Sequence, residues 1–329
     1  MSAHIHKLES VLDRFSKARH RPEGAYEWSH HHDGGVHDTH LVFSSLIHGN
    51  EVGPLEGLVR IVEALSDGSL RFGGRVTLFV GNPEAARADQ RFLEADLNRV
   101  FGPTATGQTH EERRARELMP LLDQGDVYID FHQTLKATRS EFYIFPWSVT
   151  AGLWVRALAG AEVWVTRNPG QAFSPGMMCA DEYARAQGKP GITLELGEKG
   201  WREEAAATAH RVMKDALSLA DDIVAGTRTL REAAEAQPAV TFVETAIRQR
   251  FTDPKMALRE GLMNFDPVEE GDVLSAPGTP ELRASQSGAL LFPKYPPRDS
   301  KGSALDPRPK EIYRIVAPVS GDPETLWAE

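Results

Sequence analysis

The sequence of 329 residues contains one cysteine, Cys179. An internal disulfide is therefore impossible, and so is a metal site built from several cysteines. This composition fits a reducing compartment, in which thiols stay reduced. The first 15 residues also lack the basic start and the continuous apolar stretch of a secretory signal peptide. We therefore expect a cytoplasmic protein.

Long apolar runs and an excess of positive charge are missing as well. No stretch of about 20 apolar residues occurs, so we expect no membrane span. The formal net charge is −10, which disfavours nucleic acid and anionic membrane surfaces as partners. Hydrophobic residues make up 41% of the chain, enough to bury a sizeable core. The sequence leaves open whether the chain forms a homo-oligomer.

Strand and helix patterns alternate through the first two thirds of the chain. Helical patterns occupy the N-terminus and residues 54–65, 110–125 and 201–226, and Pro120 is expected to kink or end the third of them. Apolar strand patterns lie between them, at residues 41–47, 75–82, 126–131, 140–146, 161–168 and 191–197. This alternation predicts an α/β fold with a mixed, mostly parallel sheet flanked by helices.

The pattern changes near Gln237, beyond which short β-like runs and many turns replace long helices. We therefore predict a larger α/β domain over residues 1–236 and a smaller β-rich domain over residues 237–329. A tract of three histidines and an aspartate, residues 30–33, looks like a metal site. Consecutive strand residues point to opposite faces, however, so we interpret this tract as a solvated turn between strands.

Residues suited to metal chemistry lie where three predicted strands end. His48 and Glu51 follow the strand "LVFSSLI", His132 follows "VYIDF", and Glu195 lies in "ITLEL". In open α/β sheets, ligands bind outside the carboxyl ends of the strands, so one cleft can receive all four side chains. Two histidines and a glutamate suffice to hold a catalytic zinc ion and leave a fourth position for water. Glu195 would then carry the proton of that water.

Each of these residues also has a purely structural interpretation. His48 and Glu51 can form a polar cluster at a helix start, where a carboxylate is favoured. His132 can be a hydrogen-bonded histidine at a strand end. Glu195 can be a structural carboxylate paired with an arginine such as Arg185, because a carboxylate inside an apolar strand needs either a partner or a function.

A second informative stretch is "RFLEADLNRVFG", in which Asn98 and Arg99 are adjacent. An arginine fork beside an amide is suited to clamping a carboxylate. The arginine stem can instead cover apolar neighbours. The role of Asp96 stays open. Asp130 shares a strand face with His132, and either orients that ring or serves as a salt-bridge or capping residue.

Taken together, four segments resemble the succinylglutamate desuccinylase/aspartoacylase family, zinc amidohydrolases related in fold to the zinc carboxypeptidases. In chain order they are "HGNEVGPLE", "GNPEAARADQRFLEADLNRVFG", "DFHQT" and "TLELGE", and they span residues 48–198. The likeness is looser elsewhere, although "MNFDPVEEGDVL" is similar to the desuccinylase tail. The resemblance implies a zinc-carboxypeptidase-like catalytic domain over residues 1–236.

The resemblance also implies the role of each site residue. One zinc ion per chain would be held by His48, Glu51 and His132, and Glu195 would be the general base. The substrate would be activated and held by side chains on other segments, namely Arg91 at the amide carbonyl and Asn98, Arg99 and Arg185 at carboxylates. Arg185 stands ten residues before Glu195, as the family pattern requires. Tyr295 is a candidate for the pocket tyrosine that the family places in its C-terminal domain.

The function implied by the resemblance is hydrolysis of the amide bond of a small N-acyl amino acid that carries carboxylates. Chain length and the tail segment favour N-succinylglutamate, which is cleaved to succinate and glutamate in arginine catabolism. Three alternatives stay open: a deacylase of another N-acyl amino acid such as N-acetylaspartate, a zinc carboxypeptidase, and a binding protein without activity. The β-rich domain is expected to narrow the entrance, which would favour a small substrate over a peptide.

Overall fold

The computed structural model of the chain describes residues 3–171, 173, 176–306, 308–321 and 323–326. The α-helices in this part of the chain are α1 Ala3–Ala18, α2 Gly53–Ser66, α3 Pro83–Arg87, α4 His110–Gln124, α5 Val149–Leu158, α6 Ala180–Ala186, α7 Glu203–Val224, α8 Leu230–Glu235 and α9 Pro323–Leu326. The strands are β1 Ser29–Asp33, β2 His40–Ser45, β3 Arg75–Val80, β4 Val127–Thr134, β5 Phe142–Ile144, β6 Val163–Thr166, β7 Gly191–Glu198, β8 Thr241–Arg250, β9 Pro267–Val268, β10 Gly288–Leu291 and β11 Glu311–Pro318.

The strands form one sheet in the order β1-β3-β2-β4-β7-β5-β6-β8-β11-β10-β9. Four central strands, β3, β2, β4 and β7, run parallel to one another. Strand β5 is antiparallel to β7, whereas β6 and β8 continue parallel to β5. The last four strands in this order pair antiparallel. The predicted mixed α/β fold with a β-rich C-terminal part is therefore confirmed.

Helices cover the parallel strands, and β2 and β4 are buried along their whole length. Helix α2 packs against α1 and α7. Gly57 permits the close approach of α2 to α7, because a Cβ atom there would lie 2.3 Å from the Ala206 carbonyl oxygen. The long helix α7 is amphipathic, with its buried residues on one side. Within the described ranges, no helix combines the length and apolarity needed to cross a membrane.

Helix starts follow local capping chemistry. The Asn82 side chain accepts a hydrogen bond from the Ala85 N–H at the start of α3, and the Thr109 side chain accepts one from the Glu112 N–H at the start of α4. Such caps satisfy backbone donors that the helix itself cannot pair. The segment that joins α3 to α4 carries several predicted site residues. The cap at the start of each of these helices helps to hold that segment in place.

The helix does not end at Pro120, because α4 continues through it to Gln124; the predicted kink at this residue stays a prediction. A proline inside a helix removes one hydrogen bond and costs about 3 kcal/mol. Leu118, Leu121 and Leu122 flank it and are all buried. Burial of these side chains offsets the local cost, since each fully buried leucine stabilises the fold by about 1.5–3 kcal/mol.

The prediction that residues 30–33 form a solvated turn was also wrong. They belong to the edge strand β1, which pairs antiparallel with β3. Two of the imidazoles have hydrogen-bond partners outside the tract: the His30 ring accepts a hydrogen bond from the His20 N–H, and the His31 ring contacts Thr77 and Ser29. These hydrogen bonds explain how adjacent histidines are accommodated in a strand.

The C-terminal part both extends the central sheet and has a core of its own. Strand β8 pairs with β6, so the sheet passes without a break from one part to the other. A separate cluster of buried apolar side chains nevertheless begins at Phe251 and includes Leu258, Leu290 and Ile315. The division into domains 1–236 and 237–329 stays a prediction.

Candidate metal centre and active site

The ends of three adjacent parallel strands bring four predicted residues together. His48 and Glu51 follow β2, His132 lies near the end of β4, and Glu195 lies opposite His132 in β7. Directly after β2, Leu46 adopts a left-handed conformation with φ of 65°. Non-glycine residues rarely adopt this conformation, and it occurs preferentially at functional sites. The chain leaves the sheet here and enters the turn that carries His48.

Three ligand atoms of the kind that binds zinc converge at this position. The His48 Nδ1 lies 2.9 Å from one oxygen of Glu51, and the His132 Nδ1 lies 2.9 Å from the other. The two Nδ1 atoms are 3.1 Å apart. All three side chains are at most 4% exposed. Among the described residues, this is the only cluster of three histidine, cysteine or acidic side chains that could hold a metal ion.

This donor set fits a zinc ion. Two histidines and a glutamate are a common set for catalytic zinc, with bonds of about 2.0–2.2 Å. Two atoms bound tetrahedrally at such distances lie about 3.3 Å apart. The observed separations of 2.9–3.1 Å need only a small expansion to reach that value. Two unprotonated imidazole nitrogens facing each other also repel, which a cation between them would relieve.

Carboxylates hold the outer nitrogen of each imidazole. The His132 Nε2 lies 2.7 Å from Asp130, and the His48 Nε2 lies 3.0 Å from Asp96. Such contacts fix the tautomer, so that Nε2 carries the proton and Nδ1 faces the metal position. Asp130 is itself held by the Ser44 hydroxyl, which also contacts the buried Tyr128 hydroxyl. The contacts answer both questions left open by the sequence: Asp130 and Asp96 orient histidine rings.

Glu195 is close to this cluster but is not part of it. Its Oε2 is buried and has no hydrogen-bond partner among the described residues. Burial, followed by the negative charge of Glu51, raises the pKa of Glu195 to about 7. The structural alternative was a pairing with an arginine such as Arg185. Arg185 instead donates to Asp181 and to the Gly191 carbonyl, so it is not the partner of Glu195.

The segment between α3 and α4 supplies the predicted substrate-binding residues. Arg91 donates hydrogen bonds to Glu51 and to Asp96. The side-chain oxygen of Asn98, Oδ1, accepts a hydrogen bond from the Ala180 N–H, which fixes the side-chain amide. Arg99 donates to the Asn98 backbone carbonyl and to the Cys179 sulfur, and none of the described carboxylates forms an ion pair with it. Its charge remains available to an anion.

A buried carboxylate on α4 fixes the conformation of this segment. Glu111 is 0% exposed and accepts hydrogen bonds from the backbone N–H groups of three consecutive residues, Leu93, Glu94 and Ala95. It accepts a fourth from the Asn82 side chain. Although burial opposes ionisation, these donors lower the pKa of Glu111. The carboxylate thereby holds the loop between Arg91 and Asp96, and sequence reasoning did not identify it.

The site opens into a cavity of about 600 Å³, lined by eight cationic side chains and five carboxylates. The protein as a whole carries a net charge of −10, so the cavity has the opposite charge balance. Six of these cations were not predicted: Lys136, Arg167, Arg248, Lys294, Lys310 and Arg314. Two signals were available in the sequence. Arg167 directly follows strand β6, and Arg314 interrupts an otherwise apolar strand, "IYRIV".

Two of the residues that the sequence suggested for the site do not line this cavity. Arg185 is absent from its lining, and its substrate contact stays a prediction that would require the guanidinium to leave Asp181. Tyr295 is also absent from the lining. Its hydroxyl donates to the Arg259 carbonyl and accepts from the Leu262 N–H. These contacts anchor Tyr295 within the C-terminal part.

Comparison with known proteins identifies the family of the chain. Residues 38–220, more than half of the chain, match the model of the succinylglutamate desuccinylase/aspartoacylase catalytic domain. The chain therefore belongs to the succinylglutamate desuccinylase/aspartoacylase family. It is 36% identical over 181 residues to succinylglutamate desuccinylase of Pseudomonas paraeruginosa, an alignment that covers 50% of this chain and 52% of the relative. The match thus spans about half the length of such curated relatives.

Solved structures show the same fold at lower identity. The succinylglutamate desuccinylase of Chromobacterium violaceum superposes with a TM-score of 0.67 at 18% identity, covering 95% of this chain and 98% of that one. The ectoine utilization protein of Ruegeria pomeroyi, solved with product bound, gives a TM-score of 0.60 at 19% identity, with 85% of each chain covered. At these identities the likeness concerns the fold alone.

We predict that Asp130→Asn lowers the affinity for zinc by about 10–100-fold, the usual effect of losing a carboxylate that orients a metal-binding histidine. Competition with a chelating dye measures this affinity. Asp123→Asn is the matched control, because Asp123 is exposed and, among the described residues, its side chain hydrogen-bonds only with Tyr183. Unchanged zinc affinity in Asp130→Asn would show that His132 is not a ligand oriented in this way.

We predict that Glu111→Gln lowers the free energy of unfolding by about 3 kcal/mol, because a glutamine replaces one acceptor oxygen by a donor that faces backbone N–H groups. Urea denaturation followed by circular dichroism measures the change. The control is Glu117→Gln on the exposed side of the same helix, where an ion pair contributes at most about 1 kcal/mol. Equal stability of the two variants would contradict the role given to Glu111.

Proposed function

We propose that the protein is a zinc-dependent amidohydrolase that cleaves a small N-acyl amino acid. Our preferred substrate is N-succinylglutamate, which would give succinate and glutamate. The observation that carries this proposal is the convergence of His48, Glu51 and His132 beside the unpaired carboxylate of Glu195. The name of the Pseudomonas relative supports the choice of substrate.

In this proposal His48, Glu51 and His132 hold one zinc ion per chain. When bound, the ion supplies Lewis acidity and lowers the pKa of a water molecule from its bulk value to near ~7. The chain's own contribution is to fix the ligands before the ion arrives. Asp96 and Asp130 hold the two rings, and the Gln133 N–H donates to Glu51 at 3.0 Å.

Glu195 acts as the general base and then as the general acid. It removes a proton from the attacking water, whose oxygen forms a new bond to the amide carbon. As the C–N bond breaks, Glu195 returns that proton to the departing amine, so that an acid and a free amino acid result. A carboxylate with no competing partner is suited to both transfers, and the Glu195 Oε2 has none among the described residues.

Arg91 stabilises the negative charge that develops on the carbonyl oxygen. Its guanidinium reaches the metal cluster, since Nη1 lies 2.9 Å from Glu51. Cationic donors placed where charge develops are among the largest contributions to catalysis. Asn98 and Arg99 bind a carboxylate of the substrate. An acidic protein can thus bind an acidic substrate, because the cavity carries more cationic than anionic side chains.

We predict that Glu195→Gln keeps the fold and the zinc but lowers kcat by about 10²–10⁴-fold, the loss expected when a general base is removed. Turnover and metal content are measured on the same preparation. Glu198→Gln, on the same strand, is the control, because Glu198 pairs with Arg202. Near-normal turnover by Glu195→Gln would mean that the base lies elsewhere.

The substrate assignment is tested by a panel assayed with the zinc-loaded protein. The panel contains N-succinylglutamate, N-acetylaspartate and a hippuryl peptide. We expect the highest kcat/KM with N-succinylglutamate. Preference for N-acetylaspartate would keep the reaction and change the substrate. Cleavage of the peptide alone would contradict the amidohydrolase assignment and favour a carboxypeptidase.

A further inference from the structure

We propose that Arg167, Lys294 and Arg314 form a second anion subsite, which receives a substrate carboxylate other than the one bound by Asn98 and Arg99. The inference rests on the proposed function and deepens it, because it restricts the substrate class to N-acyl amino acids with at least two carboxylates. All three side chains line the cavity that contains the metal cluster.

The first observation is an accumulation of guanidinium groups around one aromatic ring. The guanidinium carbons of Arg99, Arg167 and Arg314 lie 5.0, 5.4 and 5.2 Å from the centre of the Phe173 ring. Each contact with the ring is favourable by about 0.5–2 kcal/mol. Arg167 and Arg314 thus approach the same ring as Arg99, but neither belongs to the clamp of Asn98 and Arg99. They are therefore available to an anion other than the one held by the clamp.

The carboxylates near these arginines do not neutralise them fully. Arg167 donates to Glu182 at 3.1 Å. Glu311 is shared, since one of its oxygens accepts from Arg314 at 2.7 Å and the other from Arg248 at 3.1 Å. One carboxylate thus balances two guanidinium groups. Burial, together with the charges of Arg248 and Arg99, lowers the pKa of Arg314.

Lys294 is the second, independent observation. Its side chain is only partly exposed, and its ammonium has no hydrogen-bond or ion-pair partner among the described residues. Burial lowers the pKa of Lys294, and the attraction of Glu311 is opposed by Arg314, Arg91 and Arg99. An ammonium surrounded by arginines is electrostatically disfavoured unless an anion pairs with it. A ligand anion is the partner that such an arrangement lacks.

The position of these cations also indicates what the ligand is. Lys294 experiences the charges of both Arg91, beside the metal cluster, and Arg314, beside Phe173. Lys294, the metal cluster and the clamp of Asn98 and Arg99 line one continuous cavity. A substrate bound at the cluster and the clamp therefore shares this cavity with Lys294, which is available to a further carboxylate. Arg185, in contrast, is occupied by Asp181.

The test compares the binding of a dicarboxylate and a monocarboxylate of similar size, glutarate and butyrate, to the zinc-loaded protein by isothermal titration calorimetry. We expect the wild type to bind glutarate at least about 10-fold more tightly, the effect of one charge-assisted hydrogen bond. Lys294→Met, which keeps most of the apolar stem, should reduce this preference to about threefold or less. Lys294→Arg keeps the charge and should restore it.

The control variant is Lys214→Met on the exposed surface of α7, which should keep the glutarate preference of the wild type. Thermal unfolding of each variant shows whether it is folded before titration. An unchanged preference in Lys294→Met, or none in the wild type, would overturn the subsite. A preference that depends on Lys294 would support it.

The same variants separate this inference from the proposed reaction. Two ratios of kcat/KM are measured: N-succinylglutamate over N-succinylglutamine, and N-succinylglutamate over N-butyrylglutamate. Each analogue lacks one carboxylate, so the ratios identify which carboxylate the subsite binds. We expect Lys294→Met to reduce one of these ratios by about 10-fold, and the ratio that falls identifies the carboxylate that Lys294 contacts. If no N-acyl amino acid is cleaved but glutarate binding depends on Lys294, the reaction fails and the subsite stands. If the wild type cleaves these substrates and Lys294→Met leaves both ratios unchanged, the reaction stands and the subsite fails.

Discussion

Two imidazole nitrogens 3.1 Å apart, both facing one buried carboxylate, are the arrangement on which the rest of the site depends. Burial of a carboxylate is costly unless charges or donors compensate it. Glu51 is 2% exposed and is compensated by Arg91, the Gln133 N–H and the two histidines. Three parallel strands end at this point, and their register brings His132 next to Glu195. The fold thus provides a preformed donor set, and a divalent cation would relieve the remaining repulsion between the rings.

Around this cluster, charged side chains with little solvent exposure form hydrogen bonds and ion pairs with one another. Asp130 connects His132 to Ser44 and Tyr128 inside the sheet, whereas Asp96 connects His48 to Arg91. Glu111 fixes the backbone of the loop that carries these residues. The surplus of positive charge faces the cavity, away from the acidic exterior. This separation of charge suits an enzyme that selects small acidic molecules.

Much of this organisation could be predicted from the sequence, because the parallel strands carry uniform apolar runs. The candidate metal ligands were found from the ends of these runs together with the family resemblance. Elements set by tertiary packing could not. Pro120 stays helical because neighbouring leucines are buried. The histidine tract forms a strand in which the His20 N–H donates to the His30 ring, and Ser29 and Thr77 contact the His31 ring. Glu111 and Lys294 belong to no recognisable motif, since their partners lie far away in the sequence or belong to a ligand. The position of Arg185 matches the family spacing, but its guanidinium forms an ion pair with Asp181.

Anomalous diffraction at the zinc edge, from crystals of the zinc-loaded protein, tests the central claim most directly. The account predicts one strong peak per chain, about 2.0–2.2 Å from Nδ1 of His48, Nδ1 of His132 and a carboxylate oxygen of Glu51, with the Glu195 carboxylate nearby but not bound. A peak at other side chains, or none at this cluster under saturating zinc, would contradict it.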